Sequence, residues 1–155
     1  MDEMTKPVMQ MGNVLQEQRS CMVKVDVLMY LCYGIHHLFN VVTNKDGLAD
    51  AVLIRALEPI EGLEVMRERR KFAKAKLASG PGTLSQAMGI HMNMTGQDLL
   101  SDELWVGTNK DNDNFEIIAD VRIGVEYAEE DALKPWRFLI AGNKFVSKGA
   151  IKKSG

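Results

Sequence analysis

Aromatic residues are scarce in this 155-residue chain, at 6%, and there are only two cysteines. Cys21 and Cys32 cannot build a disulfide framework, and neither has a His or a second Cys at zinc-ligand spacing. A reducing cytoplasm is therefore the expected compartment. No apolar run approaches the roughly 18 residues that a bilayer-spanning helix needs, so no membrane helix is expected. Met1 to Gln18 is polar and has no apolar h-region, which argues against a secretory leader. An excess of one charge is missing as well. Lys plus Arg number 19 against 21 for Asp plus Glu, a formal net charge of -2. That excludes a generally basic nucleic-acid coat but leaves room for a local basic face. The chain has no phosphate-binding loop, no dinucleotide fingerprint and no metal-ligand spacing. His36 and His37 are adjacent, so on a strand they point to opposite faces and cannot chelate one ion together; His91 stands alone. No metal and no cofactor is expected.

What remains is ordinary globular material: 46% hydrophobic and 26% charged, in a length that suits one domain with one core. Charge is segregated along it. Acids dominate from Gln97 to Asp131, and after Asp131 only bases follow, from Lys134 and Arg137 to Lys153. A second basic cluster, Arg67 to Lys76, lies mid-chain; the two could form one face if the fold joins them, although solvated surface charge is the simpler reading. Met1 to Ser20 has no sustained period and is expected to be poorly ordered. Val23 to Val42 is a β-branched and aromatic run punctuated by Gly34, which predicts two strands with a turn between. Asn44 to Gly47 is turn chemistry. Ala51 to Leu57 reads as a short strand ended by Pro59.

Glu61 to Ala75 carries acids first and bases last around Leu63, Met66 and Phe72, which predicts a helix aligned with its dipole. Ser79 to Gly82 breaks the chain before a second helix over Thr83 to Met88. Leu99 to Val106 is ambiguous, and Lys110 to Asn114 is a polar loop. Phe115 to Tyr127 alternates Ile117, Ala119, Val121, Ile123 and Val125 and is the clearest strand. Trp136 to Ile140 is a final strand. Paired strands with helices inserted between them read as a single-domain α+β fold.

One charge sits where charges rarely sit. Arg55 lies inside an apolar strand, and a half-buried guanidinium needs an anionic or carbonyl partner, which a structural ion pair could supply. It belongs to a longer order of residues: Tyr30-Leu31-Cys32-Tyr33-Gly34-Ile35-His36-His37-Leu38-Phe39-Asn40, then Ala51 to Gly62, Ser79-Gly80-Pro81 with Leu84, Gln86 and Ala87, Arg122-Ile123-Gly124-Val125, Lys134-Pro135-Trp136-Arg137-Phe138, and Phe145-Val146-Ser147. In that order and spacing the chain from Tyr30 to about Ser147 resembles the alkyladenine (3-methyladenine) DNA glycosylases.

The resemblance implies a mixed, antiparallel curved sheet with peripheral helices, like the C-terminal domain of formyltransferases, over residues 30–150. It also implies a monomer that flips an alkylated purine out of duplex DNA and hydrolyses its N-glycosidic bond. Such chemistry needs a wedge for the vacated stack and aromatic walls for the flipped base. Tyr33 resembles the intercalating wedge, with Ile35 and His36 as its shoulders, and Tyr30 resembles a wall of the base pocket. Asn40 resembles the residue that crowds the 2-amino group of normal guanine. Arg55 resembles the arginine that holds the attacking water, and the Ile123 backbone carbonyl resembles that water's further contact. Without the resemblance, Tyr30 and Tyr33 read as sheet packing.

The family's general-base Glu precedes the tyrosine strand, and neither Glu3 nor Glu17 sits in its context. Residues 1–29 do not resemble the family. Their codons, read one nucleotide earlier, permit a Gly-rich approach to Tyr30 and a Ser-His-Ala stretch of the family's kind, so this segment is read as out of frame, with the frame resuming at Tyr30. The expected protein is a base-excision glycosylase by descent that is catalytically impaired and marginally stable, with an exposed apolar edge. The alternatives are a non-catalytic module that recognises damaged DNA, or an inactive gene remnant.

Overall fold

The computed structural model describes residues 27–32, 36–43, 50–71, 77–99, 101–107 and 115–146. They form β1 (Val27–Cys32), β2 (His36–Val42), β3 (Ala51–Leu53), α1 (Leu63–Arg69), α2 (Pro81–Met88), β4 (Ile117–Asp120) and β5 (Arg137–Ile140). Short 3-10 stretches cover Met92–Met94 and Glu126–Leu133. The result is a small α+β domain whose strands are antiparallel, in a three-stranded sheet β1-β2-β3 and a two-stranded ribbon β4-β5. Among the described residues no helix is long and apolar enough to cross a membrane. Expectations for Met1 to Ser20, the Asn44 to Gly47 turn, the Lys110 to Asn114 loop and the basic tail fall outside the described residues.

The apolar run before Val42 forms two strands because each residue finds a partner across the pair, from Val27 opposite Val41 to Cys32 opposite His36. Along β2, buried Phe39 and Val41 alternate with half-buried Leu38 and Asn40. The buried pair packs against Leu84, Ala87 and Met88 of α2 and Met66 of α1, together with Leu77, Ala78, Ile90, Leu99 and Leu104. This is the core.

Each helix is cut to length by its ends. α2 starts two residues earlier than expected, with Pro81 at its first position, where a missing N–H costs nothing. It stops at Gly89, whose φ of 70° is open to glycine, and Ile90 N–H closes the end on Ser85 O at 2.8 Å. A Cβ on Gly89 would also meet the Arg69 guanidinium carbon at 2.8 Å. α1 is shorter than Glu61 to Ala75. Arg70 leaves helical geometry (φ -118°, ψ 52°), and its guanidinium donates to Leu77 O at 2.6 Å.

Two strands are shorter than their sequence patterns. β3 ends at Leu53 rather than Leu57, because Leu57 N–H turns away to Ala78 O at 3.0 Å. β4 ends at Asp120 rather than running to Tyr127. Its partner β5 begins only at Arg137, just after Pro135, so the chain beyond Asp120 has no ladder to join. Gly124 then takes a φ of 73°, and Glu126–Leu133 winds into 3-10 turns with a kink at Glu129 (φ 49°).

One face of the ribbon is exposed although it is apolar, while Ile118 and Leu139 on the other face are half-buried. Ile117 opposite Ile140 and Ala119 opposite Phe138 form an exposed apolar face, with Ile117 67% and Phe138 69% accessible. Phe115, Val121 and Trp136 continue the same alternation and are exposed too. Among the described residues of 115–146, the one buried side chain is charged: Arg137.

Candidate active site

Backbone pairing gathers the predicted residues of the first sheet into one neighbourhood. Tyr30 stands opposite Leu38 in the ladder, between the positions that face His36 and Asn40. On the other side of β2, Asn40 pairs with Leu53, and Ile54 N–H donates to Phe39 O at 3.0 Å. The antiparallel register therefore brings Arg55 level with Leu38. Tyr30, Leu38 and Arg55 form a row across three chain segments, flanked along β2 by His36 and Asn40. Leu38 and Asn40 alternate with the buried Phe39 and Val41, so they face away from the core. Tyr33 and Ile35 lie outside the described residues.

Asn40 is half-buried and its side-chain amide donates to Leu38 O at 3.1 Å, which holds it along its own strand. His36 is exposed at the start of β2 and abuts the first turn of α2: a Cβ on Gly82 would lie 2.8 Å from the His36 Nδ1. Glycine at that position lets helix and imidazole approach. His37 sits edge-on to His91, with ring centroids 5.8 Å apart, so His91 is not isolated in the fold as it is in sequence. Among the described residues, no three His, Cys, Asp or Glu side chains gather as a metal site.

Arg55 is half-buried, and the expected carbonyl or acidic partner is not what stands beside it. Its Nε is buried without a hydrogen bond among the described residues. Burial, and after it the positive charge of Arg137, holds its proton affinity below the ordinary guanidinium range. Arg137 in turn is bound across the ribbon to its ladder partner Asp120, Nη1 to Oδ2 at 3.1 Å. Its side chain is 5% accessible and that of Asp120 24%. A second link ties the segment after Arg55 to the ribbon, because Asn143 donates to Glu58 Oε2 at 2.9 Å. Ile123 lies in the bend after β4 and is exposed.

The described cations of the two basic segments are tied locally. Arg67 pairs with Glu64, Arg69 donates to Ala87 O at 3.2 Å, and Arg70 is held on Leu77 O. In the ribbon, Lys134 Nζ pairs with Asp131 at 2.6 Å, an exposed contact that keeps the Asp131 carboxyl below its usual range. Lys134 and Arg122 lie 4.6 and 5.3 Å from the Trp136 ring centre.

Comparison with known proteins decides the family. The model of the methylpurine-DNA glycosylase family matches residues 14–144. The chain belongs to the methylpurine-DNA glycosylase family. Its relatives include a protein of Natranaerobius thermophilus, 46% identical over 125 residues, which are 78% of this chain and 63% of that one. A protein of Alkaliphilus oremlandii is 44% identical over 129 residues (77% and 63%). One from Methanocella arvoryzae is 48% identical over 126 residues (79% and 62%). Each bears the name "Putative 3-methyladenine DNA glycosylase". The chain thus spans somewhat less than two thirds of the length of the curated relatives it matches. The family match takes in the segment before Tyr30 as far back as residue 14.

Within this family member, sequence reasoning overlooked Arg137, whose charge acts on Arg55, and its ladder partner Asp120. A signal was available. Arg137 interrupts the apolar run Trp136 to Ile140 just as Arg55 interrupts Ala51 to Leu57.

Proposed function

We propose that this chain is a DNA-3-methyladenine glycosylase by descent, acting in base-excision repair on alkylated purines of double-stranded DNA. In the reaction, water adds its oxygen to C1′ of the deoxyribose as the N-glycosidic bond breaks. The bonding electrons leave with the purine, and the proton of the water passes to a base. Arg55 and the Ile123 carbonyl orient that water. Tyr30 stacks on the extruded purine, Asn40 rejects the 2-amino group of guanine, and Tyr33 with Ile35 and His36 fills the gap left in the helix. The domain works as a cytoplasmic monomer on the nucleoid, without metal or cofactor, and its curved sheet is of the formyltransferase C-terminal-domain kind.

What supports this reading above all is the row Tyr30–Leu38–Arg55 with Asn40 beside it, because a base pocket needs an aromatic wall, a polar discriminator and a cation within one side chain's reach. A second reading, a module that binds damaged DNA without cleaving it, draws on the charges near Arg55. The strongest charge acting on it belongs to another arginine, and Glu58, three residues on, is bonded to Asn143. Without a positioned general base, catalysis falls by about 10² to 10⁴.

Incubation with a duplex carrying 3-methyladenine or ethenoadenine separates the readings. Release of free base supports the glycosylase, whereas tight salt-dependent binding without release supports the module. Tyr33→Ala is expected to weaken damaged-duplex binding about tenfold, the order of one lost stacking contact. Equal binding by the variant would leave Tyr33 as packing and remove the wedge.

A further inference from the structure

Apolar side chains at every second position of a strand mark a sheet face that something covers. The two strands of the ribbon carry that pattern in register. Phe115, Ile117, Ala119 and Val121 follow one another along β4 and its flanks, and Trp136, Phe138 and Ile140 along β5 and the residue before it. Ile117 stands opposite Ile140 and Ala119 opposite Phe138, so the positions form one continuous face. Its large side chains are all exposed. Together they leave on the order of 600 Å² of apolar surface in water, the top of the range for the largest patch on a monomeric protein.

On β2 the same alternation, Phe39 and Val41, lies under α2. The ribbon face has no such layer among the described residues. The relatives carry chain that could supply one. The match with this chain takes in 62–63% of three of them, so each keeps more than a third of its length outside it, enough for several strands or helices. The chemistry of the face favours such a layer over a phosphate backbone. Its four ladder positions are apolar, and the cations near it, Arg122 and Lys134, sit at the Trp136 end, where Lys134 is paired with Asp131. We propose that the Ile117–Phe138–Ile140 face is the seat of a polypeptide layer that family members carry outside the matched residues, docked there through an apolar surface of its own. The inference rests on membership of the family and on no residue of the cleavage reading, so the two can fail separately.

One substitution in two settings tests this. The first setting is the full chain by itself. The second is the same chain joined, in the relative's own order, to the residues of the Natranaerobius thermophilus protein that lie outside the match. Phe138→Ser is expected to leave the urea midpoint of the chain alone unchanged. In the joined protein it is expected to lower the midpoint by about 1–2 M, the loss of one large buried aromatic side chain at an ordinary slope. Trp136 gives a second readout. Its emission, isolated by Trp105→Phe, is expected to move to shorter wavelength on joining, as a half-exposed indole enters an apolar contact.

An emission that does not move, with Phe138→Ser as harmless in the joined protein as in the chain alone, overturns the proposal. A joined protein that does not unfold cooperatively overturns it too, because the layer has then not seated. So does a chain that sediments as a dimer and becomes a monomer as Phe138→Ser, since a second copy would then occupy the face. A large loss of stability in the chain alone would mean that the chain covers the face itself, again against the proposal. Duplex DNA that shifts the Trp136 emission of the chain alone would assign the face to nucleic acid instead. None of these results bears on the release of alkylated bases.

Discussion

Residues 36–107 and 115–146 meet water in opposite ways. In the first stretch every core residue is found, from Phe39 on β2 to Leu104, and α2 lies over the sheet with its apolar side inward. In the second, one apolar face of the ribbon is exposed, Ile118 and Leu139 on the other face are half-buried, and the single fully buried side chain is Arg137. Both obey the same strand periodicity, so pattern alone does not separate them. The difference lies in cover. β2 has α2 packed on its buried face, with α1 against α2, whereas the Ile117 and Phe138 face of the ribbon is uncovered among the described residues, and a two-stranded ribbon on its own is marginal in water. The first region is a scaffold held by packing. The second is linked to it by a polar contact, the hydrogen bond from Asn143 to Glu58.

Three substitutions probe that contrast. Phe39→Ala removes the largest fully buried side chain of the scaffold and should cost about 3–5 kcal/mol, read as a lower urea midpoint at unchanged slope. A cost under ~1 kcal/mol would mean that the scaffold is not packed as described. Asp120→Asn leaves a buried guanidinium without its full counter-charge and should cost about 1–3 kcal/mol by the same titration. If it were neutral, the ribbon would not depend on its charge pair. Phe138→Ser, on the exposed face, should change stability by no more than about 0.5 kcal/mol. A loss comparable to that of Phe39→Ala would show that the ribbon face is covered after all and would erase the contrast.

Much of the scaffold was legible in sequence. The two-strand run before Val42, a helix ending at Met88 and the α+β class follow from period and breakers, although the Pro81 that opens the helix was read as part of the break before it. The ends of β3 and β4 were not legible, because they depend on where Ala78 and β5 stand and not on the residues of those strands. The candidate site divides in the same way. Arg55 is conspicuous as a charge in an apolar run, and its family context names its neighbours on β1 and β2. That Arg137 presses on it, while Asp120 holds Arg137, needs the ribbon folded back against the segment that follows β3.

By itself the sequence determined which segments could be strands and helices and which family order the residues keep, since side-chain period, turn chemistry and motif spacing are properties of neighbours along the chain. Only the tertiary structure decided which apolar face is buried and that Arg137 lies buried against Asp120. Burial and Coulomb interaction depend on distance through space, and residues 120 and 137 are brought together by the fold alone.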